Sequence, residues 1–406
     1  MSSSRCQCAL YCSVCLAGTI MRSWRFGLIC VLGFATGSIA AEQPASFWPV
    51  ELEALTPQTS EKQLQRQKTD FHQWQQQNRQ RLRQSYLWPE PLPQITAQRL
   101  SRSDEGAYWR EHWQLQLLTP VWQQVWLLIP KTANPAQPKP AVLLLHDHGA
   151  EFRLGKDKWI RPLDQTKLPL AQQWADQYFS GNFVGEQLAE QGFVVLAADT
   201  LGFGERGPVA YAQQQQLAAN FLARGRSLAG FTALEDLQLA AFLAAQPVVK
   251  TGQISALGFS MGAYRVWQLA ALSEHISAGV GIGWFNQFAN LTTPAGNFSK
   301  GQSSFYLLHP GLLAQLDLPD IAALAAPKPL LLVMGGKDPL MPASGVQQGF
   351  QKLQQWYQQC SATASAGLQL KFWPEKGHIF DAQMQQQVLH WLQLQSVTAT
   401  CDPPLR

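Results

Sequence analysis

The sequence predicts an α/β protein: a doubly wound, mostly parallel sheet with helices on both faces and loop insertions over the candidate site at the carboxyl ends of the strands. Three observations predict it. Short apolar runs recur at residues 141–145, 193–198, 252–258, 278–283, 328–334 and 368–373, separated by stretches long enough for helices. Runs of that kind are what parallel strands buried on both faces require. The third run passes directly into Gly258-Phe259-Ser260-Met261-Gly262, a strand–turn–helix signature. The last two runs open into loops that carry Asp338 and His378, and α/β sheets place functional groups at the carboxyl ends of their strands. With 406 residues, 46% hydrophobic content and 15 tryptophans, the chain can fill one large core. A single domain with insertions is therefore expected in preference to two.

The elements follow in order. Residues 1–40 read as an export signal: a basic stretch at 21–25, an apolar stretch at 26–37, and Ser38-Ile39-Ala40 as a small-x-small cleavage site. The apolar stretch is too short to span a bilayer, which takes roughly 20 residues, so no stable membrane span is expected. The basic and apolar pattern places the start of translation at Met21. Cys6, Cys8, Cys12 and Cys15 precede it, and their spacing lacks the paired C-x-x-C halves of a metal site. Cleavage after Ala40 leaves Cys360 and Cys401, either one disulfide or two thiols. Residues 41–100 form an N-terminal extension, extended at 41–60 and then a Gln/Arg-rich helix over 61–86 with Leu64, Phe71, Trp74 and Leu82 as its apolar positions. The main domain occupies 101–406, starting with antiparallel strands at 109–118 and 121–129 and a Pro-rich turn at 131–140. The glutamine runs 213–216 and 385–387 are too short for low complexity and read as solvated helix faces. Three of the 31 basic residues lie in the first 40, which hold no acid, leaving 28 against 27 acids. That balance argues against nucleic-acid binding.

The motifs carry the chemistry. In the pentapeptide, Ser260 sits at the apex of a sharp turn, and glycines two before and two after leave room for the neighbouring strand and helix. A serine hydroxyl is a poor nucleophile until an imidazole removes its proton, and the imidazole needs a carboxylate to fix its tautomer. His378 and Asp338 supply these in the order Ser, Asp, His, which is the α/β-hydrolase order and differs from the chymotrypsin and subtilisin orders. An oxyanion hole is expected from the backbone N–H of Met261, at the start of a helix, and from the loop His146-Asp147-His148-Gly149, with His148 the nearest candidate. The H-x-H pattern of that loop also allows a metal reading, but no further His or Cys cluster lies nearby in sequence. The insertions 152–180, 200–230 and 284–326 follow strand ends and should roof the crevice above Ser260. Lys156, Trp159, Arg161, Trp174 and Asn286 fall within them. Trp284 and Phe285 could stack on a sugar or pack in the core, and Glu205 and Arg206 could contact substrate or form a structural ion pair.

At the pentapeptide, the 146–149 loop, Asp199-Thr200-Leu201-Gly202-Phe203-Gly204-Glu205-Arg206, Gly335-Gly336-Lys337-Asp338 and Gly377-His378, the chain resembles the secreted bacterial α/β-hydrolases grouped with dienelactone hydrolases and acetyl xylan esterases. The resemblance covers roughly residues 100–396. It implies a secreted or periplasmic serine carboxylic-ester hydrolase with the α/β-hydrolase fold, no cofactor and no metal. True dienelactone hydrolases use a cysteine nucleophile. Serine at 260 favours a general ester hydrolase. The expected mechanism is an acyl-enzyme, and the expected substrate a small-molecule or carbohydrate ester with a short, acetyl-like acyl group, bound in part by Trp284 and Arg206. A peptidase or thioesterase is the alternative on the same fold, and a non-catalytic binding protein a more distant one. Oligomeric state is not legible.

The leader generates a direct expectation: exported protein begins at Ala41. N-terminal sequencing of periplasmic or secreted material checks it, and an intact Met1 in a cytoplasmic fraction contradicts it.

Overall fold

The computed structural model describes residues 70–293, 298 and 303–398. The export signal, the first part of the expected N-terminal helix and Cys401 lie outside them. Within them, nine strands form one sheet in the order β1-β2-β3-β5-β4-β6-β7-β8-β9. The strands are β1 (Thr96–Asp104), β2 (Tyr108–Gln116), β3 (Gln123–Pro130), β4 (Lys139–Leu145), β5 (Val194–Ala198), β6 (Val249–Phe259), β7 (Ala278–Ile282), β8 (Leu330–Gly335) and β9 (Leu368–Trp373). β1, β2, β3 and β5 pair antiparallel, and every pairing from β5 through β4 to β9 is parallel.

Composition explains these roles. β5 is Val-Val-Leu-Ala-Ala with every residue buried, and β7 and β8 are likewise buried throughout, as strands covered by helices on both faces must be. β1 is the strand that the apolar pattern does not predict. Its sequence, Thr-Ala-Gln-Arg-Leu-Ser-Arg-Ser-Asp, is almost wholly exposed, and it exists as a strand because β2 offers it a ladder. A polar, charged edge of this type resists pairing with other chains. It also runs across residue 100, where the extension was expected to end.

The helices used below are α1 (Phe71–Ser85), α2 (Leu168–Tyr178), α3 (Val184–Glu190), α4 (Tyr211–Ala223), α5 (Leu228–Ala244), α6 (Met261–Leu272), α7 (Leu318–Ala323), α8 (Ala343–Cys360) and α9 (Ala382–Thr398). α1 is docked on the sheet's helical layer. Gln75 Nε2 donates to the Leu324 and Ala326 carbonyls at 3.1 and 2.5 Å, satisfying carbonyls that the end of α7 leaves without helical partners. Arg79 Nε donates to Leu324 O at 2.9 Å, and Trp74 stacks on Trp356 of α8 with ring centroids 3.7 Å apart. The glutamine runs divide by position. Gln213, Gln215 and Gln216 are exposed as expected, but Gln214 is buried. Gln385 is buried too and donates to Phe179 O and Phe380 O at 2.8 and 2.6 Å. Cys360, half-buried at the end of α8, is a free thiol among the described residues.

The chain enters the parallel part of the sheet at β4, moves to β5 on one side, then crosses to β6 on the other. That reversal opens a crevice at the carboxyl ends of β4 and β6. The 146–149 loop leaves one of these strands and Ser260 leaves the other.

Candidate active site

Ser260 stands between β6 and α6 at φ 53° and ψ −119°, a left-handed conformation that costs a non-glycine residue about 1–3 kcal/mol and persists only where its surroundings impose it. They do so here. A Cβ on Gly258 would lie 2.3 Å from the Gly262 backbone, and one on Gly262 would lie 2.0 Å from the Leu145 carbonyl oxygen. The first glycine lets α6 turn back over β6, and the second lets it press on β4. Ser260 N–H donates to Ile282 O at 2.7 Å, tying the turn to β7. Met261 opens α6, where first-turn N–H groups have no helical acceptor and the helix dipole is positive.

Asp338 and His378 come from adjacent loops locked together by backbone. Gly336 N–H donates to Trp373 O at 2.7 Å and Lys337 N–H to Lys376 O at 2.9 Å. Gly335 passes so close that a Cβ would meet Gly377 O at 2.3 Å. The His378 Nδ1–H then donates to Asp338 Oδ2 at 2.7 Å, and Asp338 Oδ1 accepts from Leu340 N–H at 2.8 Å. The carboxylate side chain is fully buried and the imidazole 16% exposed. The ring lies 4.8 Å from that of Phe259, the residue before Ser260, and fills the space beside Gly283, where a Cβ would approach Cε1 to 3.3 Å. With Nδ1 engaged by the carboxylate, Nε2 is left as the basic nitrogen.

The loop after β4 is held from below. His146 Nδ1–H donates to Asp147 O at 2.8 Å and its Nε2 accepts from Thr200 N–H at 3.0 Å. His148 Nδ1 accepts from Ala150 N–H at 3.2 Å, and its Nε2–H donates to Gln214 Oε1. Both rings are therefore neutral, with every ring nitrogen occupied by protein. Burial pushes His146 well below its ordinary pKa, helped by Arg265 and Lys158, and burial lowers His148 to about 4. Lys158, fully buried, bonds the carbonyls of Asp147 and His148 at 3.2 and 3.1 Å and the Asp147 carboxylate at 3.0 Å. Its ammonium also lies 4.2 Å from the centroid of the Trp174 ring. Burial lowers the Lys158 pKa despite the neighbouring Asp147.

The acidic segment after β5 serves structure. Asp199 accepts from Lys156 N–H and Nζ, both at 2.7 Å, and from Glu205 N–H at 3.0 Å. Burial opposes charge on Lys156, but Asp199, Asp157 and Glu205 more than offset it and raise its pKa.

Several residues expected over the crevice are used internally instead. Arg206 pairs with Glu235 through Nη1 and Nη2 at 2.6 and 3.0 Å, and Glu205 lies 3.2 Å from Lys156. Trp284 is 3% exposed and packs on Tyr264, Trp267 and Phe298, which places it in the core. Trp159 and Trp174 are buried, as is Asn286, whose amide donates to Pro342 O at 3.1 Å. These placements share one cause: a large apolar or charged side chain in an insertion is more readily satisfied by the rest of the protein than left at a rim. Conversely, Lys158, Gln214 and the Arg265–Asp236 pair, with bonds of 2.9 and 2.6 Å, were not singled out from sequence. Their partners lie 11 to 66 residues away, and no local pattern announces such pairings. Among the described residues no group of three or more His, Cys, Asp or Glu side chains is placed to hold a metal ion, and no helix is long and apolar enough to cross a membrane.

Comparison with known proteins agrees with this architecture. Residues 50–347 match the Abhydrolase family. A Bacillus subtilis (strain 168) protein named "Putative hydrolase YtaP" is 29% identical over 217 residues, 53% of this chain. The match spans 65% of that relative's length. Among solved structures, a Bacteroides fragilis protein titled "putative acetyl xylan esterase" superposes with a TM-score of 0.59 at 20% identity, over 74% of this chain and 75% of the other. A glucuronoyl esterase from Solibacter usitatus superposes with a TM-score of 0.57 at 13% identity, over 80% and 94%. At such identities these likenesses establish the fold.

The buried histidines generate a pH dependence with a definite sign. An unfolded histidine binds its proton near pH 6.5, but folded His148 does so only near pH 4 and His309, also lowered by burial, near pH 3. Acid therefore favours the unfolded chain. The stability of the folded state is intact above about pH 6.5 and is lost as pH falls toward these values, at up to about 1.4 kcal/mol per pH unit for each histidine. Urea unfolding at a series of pH values checks this: the slope should become shallower in His309→Gln, and an unchanged slope counts against the assignment.

Proposed function

The chain belongs to the Abhydrolase family, and on that premise we propose that it is an exported serine carboxylic-ester hydrolase acting through an acyl-enzyme on short-acyl carbohydrate esters. One observation carries the reading: the 2.7 Å bond from His378 Nδ1 to buried Asp338, with the imidazole packed beside the elbow that presents Ser260. Asp338 holds the imidazole in the tautomer whose Nε2 is basic and stabilises the cation that forms. His378 takes the proton as Ser260 Oγ attacks the ester carbonyl. The oxyanion that develops is met by the N–H of Met261 and by an N–H of the loop at His148, kept in place by Lys158. Collapse expels the sugar alcohol, protonated by His378. Water, deprotonated by the same nitrogen, then attacks the acyl carbon, the bond to Ser260 Oγ breaks, and His378 returns the proton to Oγ as the acid leaves. This cycle uses no cofactor and no metal.

The carbohydrate part of the proposal draws on the names of the proteins with which the fold is shared, acetyl xylan and glucuronoyl esterases, and on an exposed aromatic ring beside the candidate oxyanion loop. Tyr211 stands 40% exposed at the start of α4, its ring 6.0 Å from that of His148. Export rests on the basic, apolar and small-residue pattern of residues 21–40.

Ser260→Ala and His378→Ala should each lower kcat by about 10⁴-fold or more with the fold retained, because such residues act as a unit. Asp338→Asn should also be severe in kcat, whereas Asp199→Asn should act on stability by weakening the buried pair with Lys156. A near-silent Asp338→Asn beside an inactive but folded Asp199→Asn would show the acid misassigned. Covalent labelling by a fluorophosphonate, lost in Ser260→Ala, separates enzyme from binding protein.

Substrate size is tested separately. With nitrophenyl esters, kcat/KM should fall once the acyl chain exceeds about four carbons, since a longer chain needs a continuous apolar tunnel, and an acetylated sugar should be turned over. Preference for octanoate would sink this part of the proposal.

A further inference from the structure

Helix α4 has two working faces. Its buried face delivers Gln214 to His148, beneath the candidate oxyanion loop. Its outer face borders a groove of about 640 Å³, whose floor is formed by Trp88, Leu217 and Phe221. The floor is fixed from behind, since the rings of Trp88 and Phe221 both pack on buried Phe231, at centroid distances of 5.6 and 5.2 Å. Along the rim lie Gln213, Gln216 and Asn220, three amides spaced at helical intervals on one face, followed by Arg224 and Arg226.

The two arginines are the informative feature. Arg224 Nη1 donates to Asn220 O and Oδ1 at 2.9 and 3.0 Å, and Arg226 Nη1 to Gly225 O at 3.2 Å. Neither forms an ion pair with a carboxylate among the described residues. Arg206–Glu235 and Arg265–Asp236 are, by contrast, closely paired. The Arg226 guanidinium lies 5.3 Å from the centroid of the Trp88 ring, a cation–π approach that leaves donors available.

We propose that this groove binds an acidic polysaccharide, a hydroxyl-rich chain bearing uronate carboxylates. Partly exposed aromatic surface suits the apolar parts of a sugar, amides match its hydroxyls, and guanidinium groups without carboxylate partners match carboxylates through paired N–H donors. A lipid chain would leave the amides and arginines unsatisfied. The groove wall packs onto the buried layer beneath the candidate oxyanion loop. Val209, also in the groove wall, bonds Gly202 O through its N–H at 3.1 Å. Gly202 abuts Tyr306, whose ring is 6.0 Å from that of His148. From Tyr211 to Arg224 the helix and its cap span about 20 Å at 1.5 Å per residue, long enough for several sugar units. The proposal deepens the esterase reading, on which it rests, by naming the polymer that carries the ester.

The test is affinity electrophoresis of the full chain carrying Ser260→Ala, through gels containing polygalacturonate, a neutral xylan or polyglutamate. Polygalacturonate should retard the protein most. Adding Arg224→Gln and Arg226→Gln together should weaken retention about tenfold, and Trp88→Ala should weaken it as well. Equal retention by neutral xylan would overturn the role of the arginines, and equal retention by polyglutamate would overturn the sugar specificity. A parent that is not retarded, or a double-arginine variant held as tightly as the parent, overturns the proposal outright, as does a dimer that Trp88→Ala dissociates. Should Trp88→Ala fail to fold, the double-arginine variant still decides. An enzyme inert toward nitrophenyl acetate would defeat the esterase reading while this binding result stood on its own.

Discussion

A backbone-to-backbone approach governs the geometry of the site. At Gly262 no side-chain atom can exist, because the Leu145 carbonyl occupies its place at 2.0 Å. That contact joins the start of α6 to the end of β4, and with it the Ser260 turn to the 146–149 loop. The left-handed φ of Ser260 follows, since the chain must reverse between a strand paired on both edges and a helix pressed on its neighbour. Strain of about 1–3 kcal/mol is sustained because the parallel sheet on either side cannot shift. The same close approach aligns the first N–H groups of α6 with the crevice, so the fold supplies positive potential without a metal or a charged side chain.

Around this contact the protein buries an unusual set of charges, each partnered. Lys156 with Asp199, Lys158 with Asp147, Arg265 with Asp236 and Arg206 with Glu235 all lie close to or beneath the loops that border the crevice. Buried pairs of this kind add little net stability compared with well-packed apolar side chains, but losing one partner costs about 3–5 kcal/mol. Their effect is to specify geometry. Lys158 contacts two successive carbonyls, which fixes the rotation of two peptide planes and so the direction of the N–H groups on their far sides. Arg265 reaches His146 O at 3.5 Å from α6, coupling the elbow helix to the same loop. The neutral histidines complete the arrangement as fixed donors and acceptors.

The insertions therefore turn much of their charged and aromatic content inward, with Trp159, Trp174 and Trp284 in the core. The groove proposed for an extended substrate is built partly from α4 and partly from the segment after α1, through Trp88. The N-terminal helix thus does more than extend the domain: by docking on α7 and α8 it delivers Trp88 to the groove.

The sequence by itself determined the class of fold, the sheet's parallel half and the three residues of the candidate triad. Strands such as 194–198 and 330–335 announce themselves because burial on both faces demands unbroken apolar runs, and G-x-S-x-G because a close approach demands glycine. Those are local requirements, written into consecutive residues. Tertiary structure alone decided the rest. β1 has no apolar pattern and becomes a strand only by pairing with β2. Whether Trp284 meets a sugar or the core, whether Arg206 meets substrate or Glu235, and which of four glutamines bonds His148 all depend on partners brought close by the fold. A side chain's type states what it needs, and only the folded chain settles what satisfies it, because burial and pairing are properties of the neighbours that surround it.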